Sequence, residues 1–144
     1  IAREMSRMKR EGSLDSGVRQ MTETAVAGQD DRISAIFDFV KSNFPYLPDP
    51  IGTELFTHPR KMAESYFQGQ ARAEDCDGLS LLTSAMLGSI GYQTRILLVD
   101  IGGEGIDHAL ARVNTKEMGW LDVDTVAPFP SGWVRDFRVG RVIL

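Results

Sequence analysis

The hydrophobic pattern of this chain changes once, near Gly91, and that change limits the possible folds more than any other feature. Before Gly91, apolar residues recur every three or four positions, as they do along one face of an α-helix. After Gly91 they fall in short runs with strand character. The chain is therefore predicted to be α+β, with N-terminal helices packed on an antiparallel β-sheet.

Four helices are predicted, each followed by a glycine or a proline that ends it. The last one begins at Asp75 and Cys76 and is expected to be the core helix on which the sheet packs. His58 precedes a proline in the first turn of the third helix, so a first-turn role is favoured over a catalytic one. The four segments are 16–27, 33–44 with Asp30 or Asp31 as its cap, 57–69, and 75–90.

The domain organisation follows from charge and length. Residues 1–12 hold four basic and two acidic side chains, which predicts a charged N-terminal arm or a solvated helix. Residues 13–144 are predicted to form a single domain, since one core usually comprises about 100–150 residues. Prolines at positions 45, 48 and 50 predict an extended loop between the second and third helices.

The second half of the chain predicts strands at 94–99, 108–114 and 120–126, with one or two edge strands within 134–144. The glycine-rich stretch 102–105 is expected to be a flexible strand connection. If 115–117 form a three-residue loop, His108 lies opposite Asp124 in the hairpin, close enough for a hydrogen bond. A turn shifted by one residue pairs His108 with Asp122 instead, and because both aspartates share a face, both registers stay open.

The charge balance and the metal-binding residue types exclude several classes of function. With 20 acidic and 16 basic residues the net charge is −4, which argues against nucleic acid or an anionic membrane surface as partner. No apolar run approaches the length of a membrane span, so a soluble protein is expected. One cysteine and two distant histidines supply no closely spaced ligand pair, so neither a metal nor a cofactor is predicted.

Cys76 is the only cysteine of the chain and falls at the start of a predicted helix. Free N–H groups and a partial positive charge at a helix N-terminus stabilise a thiolate, which favours a lowered thiol pKa. Asp75 and Asp77 flank the thiol and oppose that effect. Asp75 is interpreted first as the N-cap of the helix.

The order cysteine, histidine, aspartate suits nucleophilic acyl transfer. Cys76 would attack a carbonyl carbon, His108 would move the proton, and Asp124 or Asp122 would fix the imidazole tautomer. The alternative is a buried, inert cysteine, because unpaired cysteines are often small core residues.

These motifs together resemble the transglutaminase-like cysteine-enzyme superfamily, over roughly residues 33–130. The resemblance rests on a cysteine opening a core helix, a Gly-x-x-x-Arg strand, a histidine at a strand start and Gly-Trp-x-x-x-Asp. In this sequence the motifs are Cys76, Gly91 with Arg95, His108, and Gly119-Trp120 with Asp124. The resemblance implies a papain-like core, and its spacing from Trp120 favours Asp124 over Asp122.

The resemblance also implies an activity on a peptide or amide bond, as a peptidase, an amidase or a transamidase. The Cys76 N–H would supply half of an oxyanion hole, with Gln70 and Tyr46 as candidates for the second donor or for substrate contact. The alternative is a non-catalytic binding or structural module on the same fold. Because the 46–50 segment resembles small bacterial and phage-associated members, a cytoplasmic or virion-associated protein is expected. The start at Ile1 without a methionine leads us to expect a piece of a larger protein.

Overall fold

Helices precede strands along the chain, as the change of hydrophobic period predicts. The computed structural model describes residues 2–48, 57–100, 108–126 and 139–143. The α+β class is confirmed, and the core helix starts at Cys76. The elements are α1 (Ala2–Leu14), α2 (Ser16–Val26), α3 (Arg32–Asn43), α4 (Pro59–Phe67), α5 (Cys76–Ser89), β1 (Thr94–Asp100), β2 (His108–Thr115), β3 (Gly119–Val123) and β4 (Val139–Ile143).

Side-chain caps fix the starts of four of these helices. Asp15, Asp31 and Asp75 each accept the backbone N–H of the third residue after them, at about the same distance in all three cases. His58 caps α4 by accepting the Arg60 N–H at its Nδ1, 3.0 Å away. Asp31 is thus the cap of α3, and His58 has the structural role that its place before a proline predicts.

Helix α5 lies at the centre of the fold, between the other helices and the sheet. Every residue from Gly78 to Leu87 is buried, so the helix is covered on all sides and not only along the predicted stripe. Helices α1 to α4 pack against it, and strands β1 and β2 cross it on another side. An apolar helix in this position holds its first residue, Cys76, in a fixed place relative to the sheet.

The sheet has four antiparallel strands in the order β3-β2-β1-β4. Leu98 pairs with Ala109 and Val99 with His108, so β2 occupies an inner position with its first residues beside β1. Strand β4 lies within the predicted edge-strand region, whose residues 134–138 are outside the described part. The predicted loop around Pro50 and the glycine-rich 102–105 stretch are also outside it.

Both hairpin registers that the sequence left open are wrong, because the loop lies one residue later than in the first of them. Thr115 pairs with Gly119 and Arg112 with Asp122, so the three-residue loop is 116–118 instead of 115–117. Gly119 has a φ of +69°, a left-handed conformation that suits the residue closing such a loop. The Thr115 hydroxyl reinforces this turn by accepting the Met118 N–H and donating to the Gly119 carbonyl.

The N-terminal segment is a packed helix, which corrects the expectation of a solvated one. Met5 and Met8 of α1 are buried, because their spacing of three residues places both on the face that meets α5. The charged side chains lie on the remaining surface, and Lys9 Nζ donates to the Thr94 carbonyl at 2.8 Å. In the described ranges, no helix combines the length and the apolarity that crossing a membrane requires.

Candidate active site

Cys76 opens α5, where its position is fixed by the Asp75 cap and by apolar packing. The Asp75 carboxylate accepts the Gly78 N–H at 2.9 Å, which aligns the first turn. The partly buried thiol packs on an apolar cluster shared by α1, α5, β1 and β2. The Cys76 N–H belongs to the first turn of α5, whose N–H groups have no acceptor within the helix.

The backbone of β2 also reaches the thiol, because the N–H of Ala109 hydrogen-bonds to Cys76. Asn114 donates its N–H on the β1 side, to the Gln93 carbonyl, so odd-numbered residues of β2 direct theirs to the β3 side. Strand β3 ends at Val123, opposite Ala111. The Ala109 N–H therefore lies beyond the end of the β3 ladder, where the thiol can accept it.

His108 begins β2 and is joined to Asp124, which lies just beyond β3. The distance from His108 Nε2 to Asp124 Oδ2 is 2.7 Å, and each side chain is only 10% exposed. The other Asp124 oxygen, Oδ1, accepts the Val126 N–H at 3.1 Å. This second bond holds the carboxylate in the orientation that the imidazole requires.

The ring orientation follows from that contact. Because an ionised carboxylate only accepts hydrogen bonds, Nε2 must donate to Asp124, and in the neutral tautomer of His108 the lone pair is then on Nδ1. Among the described residues no hydrogen bond is made to Nδ1, and none joins the His108 ring to the Cys76 sulfur. A general base needs such a lone pair, and His108 has one on the side of the ring away from Asp124.

Asp122, the alternative orienting carboxylate, lies elsewhere. Its Oδ1 accepts from Arg112 Nε at 2.8 Å, across the rung that pairs these two residues. Asp124 reaches His108 despite the shifted register, because it has left the ladder and turns back through its bond to Val126. Asp124, and not Asp122, is thus the carboxylate that contacts His108, although the pairing argument from the loop was wrong.

The thiol is held in its protonated form, contrary to the expectation from the helix N-terminus. Burial is the main cause that raises the pKa of Cys76 to about 12, with the negative charges of Asp77, Asp75 and Asp124 adding to it. The Ala109 N–H acts in the opposite direction and favours the thiolate. Desolvation and three nearby carboxylates therefore outweigh the helix terminus.

The two weaker candidates from the sequence both precede Cys76 along the chain. Tyr46 is half-exposed, and its backbone is bridged to Glu74, two residues before Cys76. Gln70 lies after α4, where its backbone N–H donates to the Ser65 carbonyl and its side chain is exposed. An oxyanion or substrate role for either residue stays a prediction.

The remaining family-like motif residues lie toward the end of the sheet away from His108. The Arg95 guanidinium lies 4.4 Å from the centroid of the Trp120 ring, a cation–π contact across the sheet. Gly91 follows α5 with a φ of +99°, a conformation that favours glycine and turns the chain into β1. These residues hold the strands and do not contribute a reacting group.

Sequence reasoning missed three contributors to the site. The Val126 and Ala109 N–H groups carry no side-chain signal, so only the strand ends reveal them. The methionines of α1 had a detectable signal, namely their spacing of three residues in an otherwise charged segment. Within the part of the chain that the structure covers, no group of three or more metal-ligating side chains occurs.

Comparisons with known proteins give the family. The family model of the transglutaminase-like superfamily matches residues 15–125, which is more than half of the chain. The chain belongs to the transglutaminase-like superfamily. Among curated proteins, none matches it.

Two solved structures share the fold. One is described as a "putative protease" from Parabacteroides distasonis, with a TM-score of 0.61 and 11% identity over 88% of this chain and 26% of that one. The other is described as a "putative cysteine protease" from Cytophaga hutchinsonii, with a TM-score of 0.54 and 15% identity over 75% of this chain and 36% of that one. The chain thus spans roughly a quarter to a third of the length of these structures.

Proposed function

We propose that this protein is a thiol enzyme that transfers an acyl group from a peptide or amide, using Cys76, His108 and Asp124. The observation that carries the proposal is the 2.7 Å contact between His108 and Asp124 at the strand start whose next residue, Ala109, hydrogen-bonds to Cys76. Two neighbouring backbone positions thus present the base and contact the nucleophile. Membership in a superfamily of cysteine enzymes supports the same assignment.

The raised pKa of Cys76 keeps the resting sulfur protonated, so the reaction starts from a thiol. As the sulfur attacks the carbonyl carbon, Nδ1 of His108 takes the thiol proton and a C–S bond forms. The oxygen becomes an oxyanion facing the Cys76 N–H. Asp124 stabilises the imidazolium, which then protonates the leaving nitrogen as the C–N bond breaks and a thioester remains.

The thioester is resolved by a second transfer in which His108 acts again as the base. Water or an amine loses a proton to Nδ1 and attacks the thioester carbonyl, and the C–S bond breaks to return the thiol. We favour water, and hence a peptidase or amidase, because so small a domain has little surface for a second substrate. The partner is a peptide or protein, and a cytoplasmic or virion-associated site of action belongs to the same proposal.

A second candidate is a binding or structural module on the same fold, and one observation favours it. A partly buried thiol whose pKa is raised to about 12 is unreactive on its own at neutral pH. In that case Cys76 is a core residue, and the His108–Asp124 pair is a structural ion pair. The two candidates differ in whether His108 makes the thiol reactive.

The test is the alkylation rate of Cys76 measured with iodoacetamide at neutral pH. Because the chain has one cysteine, labelling reports this thiol alone. The enzyme proposal expects clear labelling, strongly reduced in His108→Asn, and labelling by electrophilic peptide probes that Cys76→Ser abolishes. Equal, slow alkylation in the wild type and in His108→Asn, in folded proteins, overturns it and supports the binding module.

A further inference from the structure

Helix α1 lies outside the 15–125 match to the superfamily, yet it packs beside the start of α5. A Cβ at Gly12 would lie 2.9 Å from Ala85 Cβ, and one at Gly88 would lie 3.0 Å from Ser13 Cβ. Later residues of α1 thus meet later residues of α5, so the two helices run in the same direction. The earlier residues Met5 and Met8 then lie along the first half of α5.

The contacts agree with this alignment. Met5 and Met8 belong to one buried apolar cluster with Leu81, and Cys76 packs against that cluster. The other members come from the sheet: Ile96, Leu98 and Ala109. The methionines therefore share with Ala109, the residue that hydrogen-bonds to the thiol, the apolar wall on which Cys76 rests.

We propose that Met5 and Met8 of α1 are positioning residues for Cys76, which keep water from the sulfur. The effect of these two residues on catalysis rests on the proposed function. The exclusion of water from the Cys76 sulfur does not rest on it, because this exclusion can be measured in the absence of turnover.

The charged groups that act on the thiol, and the histidine joined to one of them, come from elements other than α1. Asp75 and Asp77 come from α5, Asp124 follows β3, and His108 opens β2. The charge that α1 brings closest to the sheet, Lys9, donates to the Thr94 carbonyl on β1. Thus α1 adds packing near the sulfur, where burial is the main cause of the raised pKa of Cys76.

Three contacts hold α1 in place. Lys9 Nζ donates to the Thr94 carbonyl at 2.8 Å, and His58 Nε2 lies 3.1 Å from Glu11 Oε1 on the other side of the helix. Gly12 allows close contact, since a Cβ there would lie 2.8 Å from the Pro59 side chain. These contacts hold α1 to β1 and α4, in addition to its packing on α5.

The test is the ionisation of Cys76 in Met5→Ala and Met8→Ala, followed by thiolate absorbance and by alkylation rate against pH. The matched control is Met62→Ala, because Met62 is equally buried but belongs to the other core cluster, on α4. Water that reaches the sulfur should lower the ionisation midpoint of Cys76 in the two α1 variants by about one pH unit. Below the midpoint, the thiolate fraction would then be about tenfold higher than in the wild type. Met62→Ala should lose comparable stability and keep the wild-type midpoint.

Wild-type midpoints in folded Met5→Ala and Met8→Ala, or the same shift in Met62→Ala, overturn the inference. If either alanine variant fails to fold, the milder Met8→Val should show a smaller shift of the ionisation midpoint in the same direction. An unchanged midpoint in Met8→Val would also overturn the inference. Failure of the proposed function shows differently, as an alkylation rate insensitive to His108→Asn. The two failures are therefore distinguishable.

Discussion

Both histidines of the chain contact a carboxylate, but the two sites differ in what the second ring nitrogen does. His108 Nε2 lies 2.7 Å from Asp124, and no described residue bonds to its Nδ1. His58 Nε2 lies 3.1 Å from Glu11, and its Nδ1 accepts the Arg60 N–H as a helix cap. A histidine with both nitrogens engaged is structural, whereas one with a free lone pair can act as a base.

Exposure separates the two sites as well. The Asp124 side chain is 10% exposed and that of Glu11 is 47% exposed, so water screens the Glu11 site far more. The His108 site also adjoins a buried thiol, and the His58 site joins two helices at the surface. The comparison shows that a contact between a histidine and a carboxylate does not by itself make the pair reactive. Its burial and its neighbouring groups decide whether the pair can take part in a reaction.

The largest difference should appear when each histidine is replaced by asparagine. His108→Asn removes the base, so turnover of a peptide or amide substrate should fall by about 10² to 10⁴-fold. His58→Asn keeps a good N-cap acceptor for α4, so turnover should change little. Steady-state rates with thermal melts of both variants check this, and similar losses of activity in the two variants would contradict the distinction.

The second prediction compares Asp122, which lies in β3, with Asp124, which lies just beyond it. Asp124→Asn should lower turnover by roughly a hundredfold or more, because a neutral amide no longer stabilises the imidazolium and can favour the wrong tautomer. Asp122→Asn should leave turnover almost unchanged and instead cost about 1–3 kcal/mol of stability, since a buried partner of Arg112 is weakened. Rates and urea unfolding of both variants separate the two roles, and the reverse pattern would assign the orienting role to Asp122.

Local features of the site could be predicted from the sequence, and its long-range contacts could not. Helix caps and helix starts depend on neighbouring residues, so the sequence pattern could indicate them. Examples are the caps Asp31 and Asp75 and the start of α5 at Cys76. The register of β2 and β3 depended on where Gly119 closes the turn, which a sequence reading placed one residue away. Whether Met5 is core or solvated depends on a partner helix far along the chain.

The acid–base character of the thiol shows the same limit. The position of Cys76 at a helix start indicated a lowered pKa, because that effect is local. Its burial and the charge of Asp124 come from residues distant in sequence, and together they reverse the direction. The pKa of Cys76 therefore depends on tertiary contacts, which the hydrophobic periodicity of the sequence does not predict.

The third expected effect is a loss of stability at alkaline pH that originates at the His108 site. The ordinary thiol pKa of 9.0 is raised to about 12 in the folded protein, so above pH 9 the unfolded chain releases a proton that the folded protein keeps. Stability from this group is complete below the unfolded pKa and is lost as pH rises toward 12, by at most about 1.4 kcal/mol per pH unit. Cys76→Ser should lack this slope, and parallel unfolding curves of the two proteins above pH 9 would contradict it.

The smallest effect belongs to the exposed site and has the opposite sign with pH. Hydrogen bonds from His58 and then from Arg7 lower the pKa of the Glu11 carboxyl below its ordinary value of 4.5. Stability from Glu11 is therefore present above the unfolded pKa and is lost as pH falls through the lower, folded one. The difference in unfolding free energy between the wild type and Glu11→Gln should shrink from neutral pH to about pH 3. Glu4→Gln is the matched control, because Glu4 lies on the same helix at 3.9 Å from Arg7 without a histidine partner. A difference that does not change with pH, or an equal change in Glu4→Gln, would show that the contact with His58 contributes nothing to the attachment of α1 to α4.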